Sequence, residues 1–172
     1  VREPMLAAGQ VDAITGFSFS SCINLKDRGV PADDIAVMLM SDYGVNLYGN
    51  AIIVSEQFLR EKPEAVKAFL RAFTRGMKDV LADPDGAIRY VKERDALVDE
   101  ALEKRRMKLA IDSVVATPTA RADGIGGVQP ARLAEMVNQV SSAFELKSPV
   151  RPEQVFNPDF LPARADRMVF PK

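Results

Sequence analysis

The sequence has no histidine and no tryptophan, and it has a single cysteine, Cys22, among its 172 residues. Without histidine it cannot supply a Ser-His or Cys-His catalytic pair or a histidine-ligated metal site. We therefore assign it no catalytic residue, no metal ligand and no cofactor. A lone cysteine cannot form an internal disulfide, and beside Ile23 and Leu25 we expect Cys22 to be a small buried apolar residue.

Long hydrophobic runs and an excess of charge are absent as well. No apolar stretch approaches the roughly 18 residues of a membrane-spanning helix, and the first residues do not resemble a signal peptide. An exported form would need a signal that this sequence does not contain. The formal net charge is −1 and the basic residues are scattered, so we do not expect nucleic acid as a partner. The composition is that of a soluble globular protein.

Short apolar runs separated by turn residues occupy the first third of the chain. The runs at residues 11–14, 35–40 and 51–54 are typical of buried strands. Between the first two, the pattern predicts a helix to about Arg28 that is capped by the hydroxyl of Ser20 or Ser21. A strand, helix, strand order implies parallel strands, so the sequence predicts an α/β fold.

The remainder of the chain is predicted to be mainly helical. Proline at a first helical position and apolar residues at helical spacing predict helices at about residues 63–81, 84–94, 98–115 and 130–144. Residues 117–129 are predicted to form a loop, and the proline-rich tail at 148–172 an irregular strap. Because the strands crowd one third of the chain, we expect their partner strands to lie outside this sequence.

Two polar loops with aromatic side chains follow the first two predicted strands, at residues 15–21 and 41–50. In parallel sheets, ligands bind beyond the carboxyl ends of the strands. The predicted ligand-binding residues are Phe17, Ser18, Ser20, Tyr43, Tyr48 and Asn50. An ordinary capped turn and a surface turn with exposed tyrosines remain open alternatives for the two loops. Neither loop contains Lys or Arg, which favours a neutral or aromatic solute.

A third candidate, the glycine-rich stretch at residues 124–127, follows a predicted helix and does not fit a dinucleotide or Walker motif. We interpret it as a plain loop.

Three motifs in a fixed order resemble a known family. They are residues 9–14, GQVDAI, residues 48–55, YGNAIIVS, and residues 58–72, FLREKPEAVKAFLRA. In this order the sequence resembles the NMT1/THI5-like family of periplasmic solute-binding proteins of ABC transporters, whose members take up thiamine pyrimidines, nitrate, sulfonates or taurine. The resemblance extends from about Gly9 to Phe160.

The resemblance implies a two-lobed fold of the type II periplasmic-binding-protein kind. Residues 1–47 would complete the second lobe, and residues 48–172 would form the interlobe crossing and the C-terminal part of the first lobe. About half of the family's length would lie outside this sequence, and that N-terminal half is an expected partner.

The implied function is to bind a small organic solute between the lobes and deliver it to the membrane permease of an ABC importer, without catalysis. The location would be periplasmic, or exported and tethered to the membrane. Two alternatives stay open: a pyrimidine-synthesis-type enzyme of the same fold, and the effector-sensing domain of a regulator.

Overall fold

The structure, a computed structural model, describes residues 2–170. The predicted strap, which runs to Lys172, and the predicted second-lobe segment, which starts at Val1, each extend outside the described residues. The α-helices of the described part are α1 (Arg2–Ala7), α2 (Ser18–Asp27), α3 (Glu56–Glu61), α4 (Pro63–Ala82), α5 (Pro84–Arg94), α6 (Glu100–Ala110), α7 (Pro118–Asp123), α8 (Pro130–Ala143), α9 (Pro152–Val155) and α10 (Arg164–Arg167). None of these helices is long and apolar enough to cross a membrane.

The predicted α/β fold is wrong for this chain, because residues 2–170 contain no β-strand. A strand exists only when its backbone groups pair with a neighbouring strand. The runs at 11–14, 35–40 and 51–54 have strand-like composition, but no neighbouring strand pairs with them in the described chain. Met38 and Ile53 are 69 % and 90 % exposed, so apolar composition alone did not bury these segments.

The predicted helices after residue 60 are largely confirmed. Pro63 opens α4, and Pro130 is the first residue of α8, where its missing N–H costs no hydrogen bond. The prediction of a loop at 117–129 is wrong in its first part, because α7 occupies Pro118–Asp123. The tail likewise contains the short helices α9 and α10.

The described chain divides into two compact units. The first unit comprises residues up to Met38 together with Asp79–Thr117, and the second comprises Leu39–Lys78 together with the residues from Pro118 onward. The boundary at Lys78 falls inside α4. Each unit combines two separate segments of the chain, whereas the predicted lobe assignment splits the chain once, at Tyr48. That assignment stays a prediction.

In the first unit, α2, α5 and α6 surround a small core. Ile23, Leu25, Ala87 and Ile88 are buried there, and Ile88 is the most enclosed of them, at 1 % exposure. The carboxylate of Asp83 caps α5 by accepting a hydrogen bond from the N–H of Gly86 at 2.9 Å, and Asp99 caps α6 in the same way. Cys22 is half-buried rather than fully buried.

In the second unit, α4 and α8 supply the buried side chains Val66, Thr74, Leu133 and Val137. Leu133 and Val137 are four residues apart, so they lie on one face of α8. Two polar residues of this helix, Arg132 and Gln139, donate hydrogen bonds to backbone carbonyls of the segment at residues 44–48.

The glycine-rich loop after α7 is shaped by its contact with the tail. Gly124 has φ of +85°, which L side chains rarely adopt, and a Cβ at this position would come 2.9 Å from the backbone of Arg167. The N–H of Ile125 donates to the carbonyl of Arg167 at 3.0 Å, and the Arg167 guanidinium donates back to the Ile125 carbonyl at 2.9 Å. Backbone geometry and close packing therefore account for the glycine at position 124.

Candidate functional site

The segment at residues 43–50 lies in the second unit and begins at the end of a 3₁₀ turn, Met40–Tyr43. Gly44 ends this turn with φ of +84°, and irregular backbone follows. Among the predicted site residues here, Tyr43 and Asn50 are exposed, whereas Tyr48 is half-buried. Tyr48 is therefore the member of this group that other parts of the unit hold in place.

Tyr48 is fixed through both its hydroxyl and its ring. The backbone N–H of Gln129 donates to the Tyr48 hydroxyl oxygen at 2.7 Å. The guanidinium of Arg132 lies over the ring, with its central carbon 4.1 Å from the ring centroid, a cation–π geometry. A ring held at its edge and on its face has little freedom to turn.

Helix α8 also holds the backbone that leads to Tyr48. Arg132 donates from Nε to the carbonyl of Asn46 at 3.1 Å and from Nη2 to the carbonyl of Leu47 at 2.7 Å. The amide of Gln139 donates to the carbonyl of Gly44 at 2.9 Å. Positions 132 and 139 are seven residues apart, about two helical turns, so both side chains emerge from one face of the helix. Together they fix an otherwise irregular segment along the side of α8.

Arg132, Gln129 and Gln139 were not among the predicted site residues. They lie more than 80 positions downstream of the segment that they contact. The only signal in the sequence is a pair of polar residues with a seven-residue spacing on an amphipathic helix, which occurs on most surface helices. Neither predicted binding loop contains Lys or Arg, but Arg132 of α8 places a positive charge against Tyr48.

The other three predicted site residues lie in the first unit, at the start of α2. The predicted cap at Ser20 or Ser21 is wrong, because the helix begins at Ser18 and Phe17 occupies the N-cap position without a side-chain hydrogen bond. The Ser20 hydroxyl instead donates to the carbonyl of Phe17 at 3.2 Å, and the Ser21 hydroxyl donates to the carboxylate of Glu3 at 2.8 Å. Both hydroxyls therefore donate to other acceptors, and neither caps the free N–H groups at the start of the helix.

Aromatic side chains mark this start of α2. The rings of Phe17 and Phe19 stack with centroids 5.2 Å apart, and the Phe17 side chain is 54 % exposed. Ser20 and Phe19 also line a cavity of about 220 Å³, whose other walls include Ile88 and Met107. Ser20 thus faces a small, mostly apolar space within the first unit.

The six predicted site residues fall three in each unit: Phe17, Ser18 and Ser20 in the first, and Tyr43, Tyr48 and Asn50 in the second. Their common role in ligand binding stays a prediction. Within residues 2–170, no group of three or more His, Cys, Asp or Glu side chains is placed to hold a metal ion.

Comparison with known proteins identifies the class to which this chain belongs. The sequence model of the family described as NMT1/THI5 like matches residues 2–87, which include α2 and the segment at 43–50. The chain belongs to the NMT1/THI5-like family, as its three ordered motifs indicated.

One characterised relative is the riboflavin-binding protein RibY of Chloroflexus aurantiacus. This chain is 29 % identical to it over 157 residues, which cover 89 % of the chain and 43 % of the relative. The chain therefore spans less than half the length of the relative that it matches. No solved structure matches the chain.

Proposed function

We propose that this chain is part of a non-catalytic solute-binding protein that binds a planar aromatic solute of the flavin class and delivers it to the membrane permease of an ABC importer. The protein would act outside the cytoplasm, in the periplasm or tethered to the membrane. Membership of the NMT1/THI5-like family and the similarity to a riboflavin-binding protein support a binding role. We also propose that the residues before Tyr48 complete the second lobe of this protein, and that the residues from Tyr48 onward form the interlobe crossing and the C-terminal part of the first lobe.

The observation that carries the proposal is the immobilised ring of Tyr48. A tyrosine face offers a flat apolar surface, and aromatic rings stack on it in an offset arrangement. Because Gln129 and Arg132 already hold the ring, a solute that stacks on it would not have to order it first. Such preorganisation raises affinity by lowering the entropy lost on binding. Tyr43 and Asn50, which are exposed on the same segment, would add contacts at its edges.

The test is riboflavin binding by the intact protein encoded by the gene that carries this sequence. Titration calorimetry should detect binding, and Tyr48→Ala should weaken it by about 10-fold or more, since stacking on one aromatic side chain contributes roughly 1–3 kcal/mol. Tyr48→Phe keeps the ring but loses the bond from Gln129, so its loss should be smaller.

Tyr90 provides a matched control. It is an exposed tyrosine in α5 of the first unit, and the guanidinium of Arg89 lies 4.7 Å from its ring centroid. Tyr90→Ala removes an equivalent tyrosine–arginine pair and should leave riboflavin affinity unchanged. If Tyr48→Ala and Tyr90→Ala bind riboflavin equally well, Tyr48 is not part of the binding surface. If the unaltered protein binds no flavin, the proposed solute class is wrong.

A further inference from the structure

The cavity at the start of α2 has mainly apolar walls, which come from three helices of the first unit. Its apolar lining residues are Phe19 of α2, Ile88 and Val91 of α5, and Met107 and Ala110 of α6. Aromatic rings pack favourably against one another, and a methionine sulfur makes favourable contacts with a ring. These walls therefore suit a ring-shaped apolar ligand.

The volume of the cavity limits the size of that ligand. It is about 220 Å³. An apolar cavity of roughly 150 Å³ binds benzene, whereas pockets for drug-sized ligands have roughly 300–1,000 Å³. The cavity therefore has room for a single ring with a small substituent, and it is small for a tricyclic flavin.

The two charged residues of the wall compensate each other. Arg106 donates from Nη1 to the carboxylate of Glu103 and from Nη2 to the side-chain oxygen of Asn24. The side chains of Glu103 and Arg106 are 22 % and 26 % exposed, so most of this ion pair is shielded from water. A charged ligand would lose hydration on entry and would find no unpaired opposite charge. The wall therefore favours an uncharged ligand.

Ser20 supplies a hydrogen-bond acceptor at the same cavity. Its hydroxyl proton is donated to the carbonyl of Phe17 at 3.2 Å, and a hydroxyl oxygen has two lone pairs. The oxygen can therefore accept a hydrogen bond from a ligand that carries an O–H group.

We infer that this cavity is a binding site for a small uncharged ring with one hydroxyl group, of the phenol class, whose O–H donates to Ser20. The site goes beyond the proposed function and does not depend on it, because Tyr48 belongs to the second unit.

NMR spectroscopy of the intact protein, with ¹³C-labelled methionine methyl groups, tests the site directly. Met107 lines the cavity, whereas Met38 belongs to the same unit, is 69 % exposed and does not line it. Phenol should shift the Met107 signal saturably and leave the Met38 signal unchanged. Toluene, which lacks the hydroxyl, should bind more weakly, and benzoate, which adds a negative charge, should cause no shift. The signal that is lost in Met107→Leu identifies Met107.

Three kinds of variant separate the contributions. Ser20→Ala should weaken phenol binding roughly 2- to 10-fold, the range for one neutral hydrogen bond, and leave toluene binding unchanged. Ser113→Ala is the matched control, because the Ser113 hydroxyl also donates to a backbone carbonyl, that of Leu109, but does not line the cavity. Ala110→Leu and Val91→Phe each fill the cavity from a different helix, so whichever of them folds should bind neither ligand.

A Met107 signal that does not respond to phenol would overturn the inference, and so would equal losses of phenol and toluene in Ser20→Ala. Tighter binding of benzoate than of phenol would overturn the preference for an uncharged ring. None of these results bears on riboflavin binding, which is measured separately through Tyr48.

Discussion

Gly124 should be the glycine of the second unit that is least tolerant of substitution, and Gly44 provides an almost ideal comparison. Their φ angles are +85° and +84°, so alanine meets the same backbone penalty at both positions, about 1–2 kcal/mol. They differ in their surroundings. A Cβ at Gly44 has nothing within 4 Å, whereas a Cβ at Gly124 meets the backbone carbon and oxygen of Arg167 at 2.9 Å.

The crowding at Gly124 cannot be relieved by moving one flexible side chain, because the atoms in contact belong to the backbone. Overpacking of this kind costs about 1–3 kcal/mol. We therefore expect Gly124→Ala to lower the free energy of unfolding by roughly 2–5 kcal/mol, and Gly44→Ala by only about 1–2 kcal/mol. The difference between the two variants isolates the contact between the glycine loop and the tail.

Urea unfolding of the intact protein, followed by far-ultraviolet circular dichroism, measures both free energies. Amide hydrogen exchange adds a local measurement, because the N–H of Ile125 donates to the carbonyl of Arg167. Exchange at Ile125 should accelerate in Gly124→Ala and not in Gly44→Ala. Equal destabilisation of the two variants, with unchanged exchange at Ile125, would refute the claim that the loop and the tail are in close contact.

Two further predictions concern stability. Gly76 lies in the interior of α4, and a Cβ added there has nothing within 4 Å. Gly76→Ala should therefore stabilise the protein by about 0.5–1 kcal/mol and raise Tm, whereas destabilisation would show that another surface contacts this position. Hydrogen bonds from its own backbone N–H and, to a smaller extent, from the Ser21 hydroxyl lower the pKa of the Glu3 carboxyl. The Glu3 carboxylate therefore stabilises the fold above the ordinary carboxyl pKa, and this stabilisation is lost as the pH falls through the lowered pKa. In Ser21→Ala, an NMR titration should find the pKa of Glu3 closer to its ordinary value, and an unchanged pKa would rule out this hydrogen bond.

The helices were predictable because their signals are local. In α4, a starting proline and one apolar face lie within the 20 residues of the helix itself. Residues 35–40 show the opposite case. Their apolar composition is that of a strand, but strand formation requires a partner from elsewhere, and composition carries no information on whether that partner is present.

The candidate site was likewise predictable only where its signal is local. Tyr48 could be selected because an aromatic residue in a polar, glycine-containing segment stands out in the sequence. Its contacts with Gln129 and Arg132 depend on how α8 packs, over separations of more than 80 residues. The start of α2 was predicted too far along the chain for a local reason. Serine is a frequent N-cap residue, but the hydroxyls of Ser20 and Ser21 donate to the Phe17 carbonyl and the Glu3 carboxylate instead.

The contacts of Arg132 impose an unequal evolutionary constraint on the segment that it holds. At Asn46 and Leu47 it binds backbone carbonyls, which every residue type provides, so the side chains at these two positions are free to diverge. At Tyr48 it meets the side chain itself. Among relatives, positions 48 and 132 should therefore change together while 46 and 47 vary independently, and this co-variation would mark the family members that retain the same ring and cation.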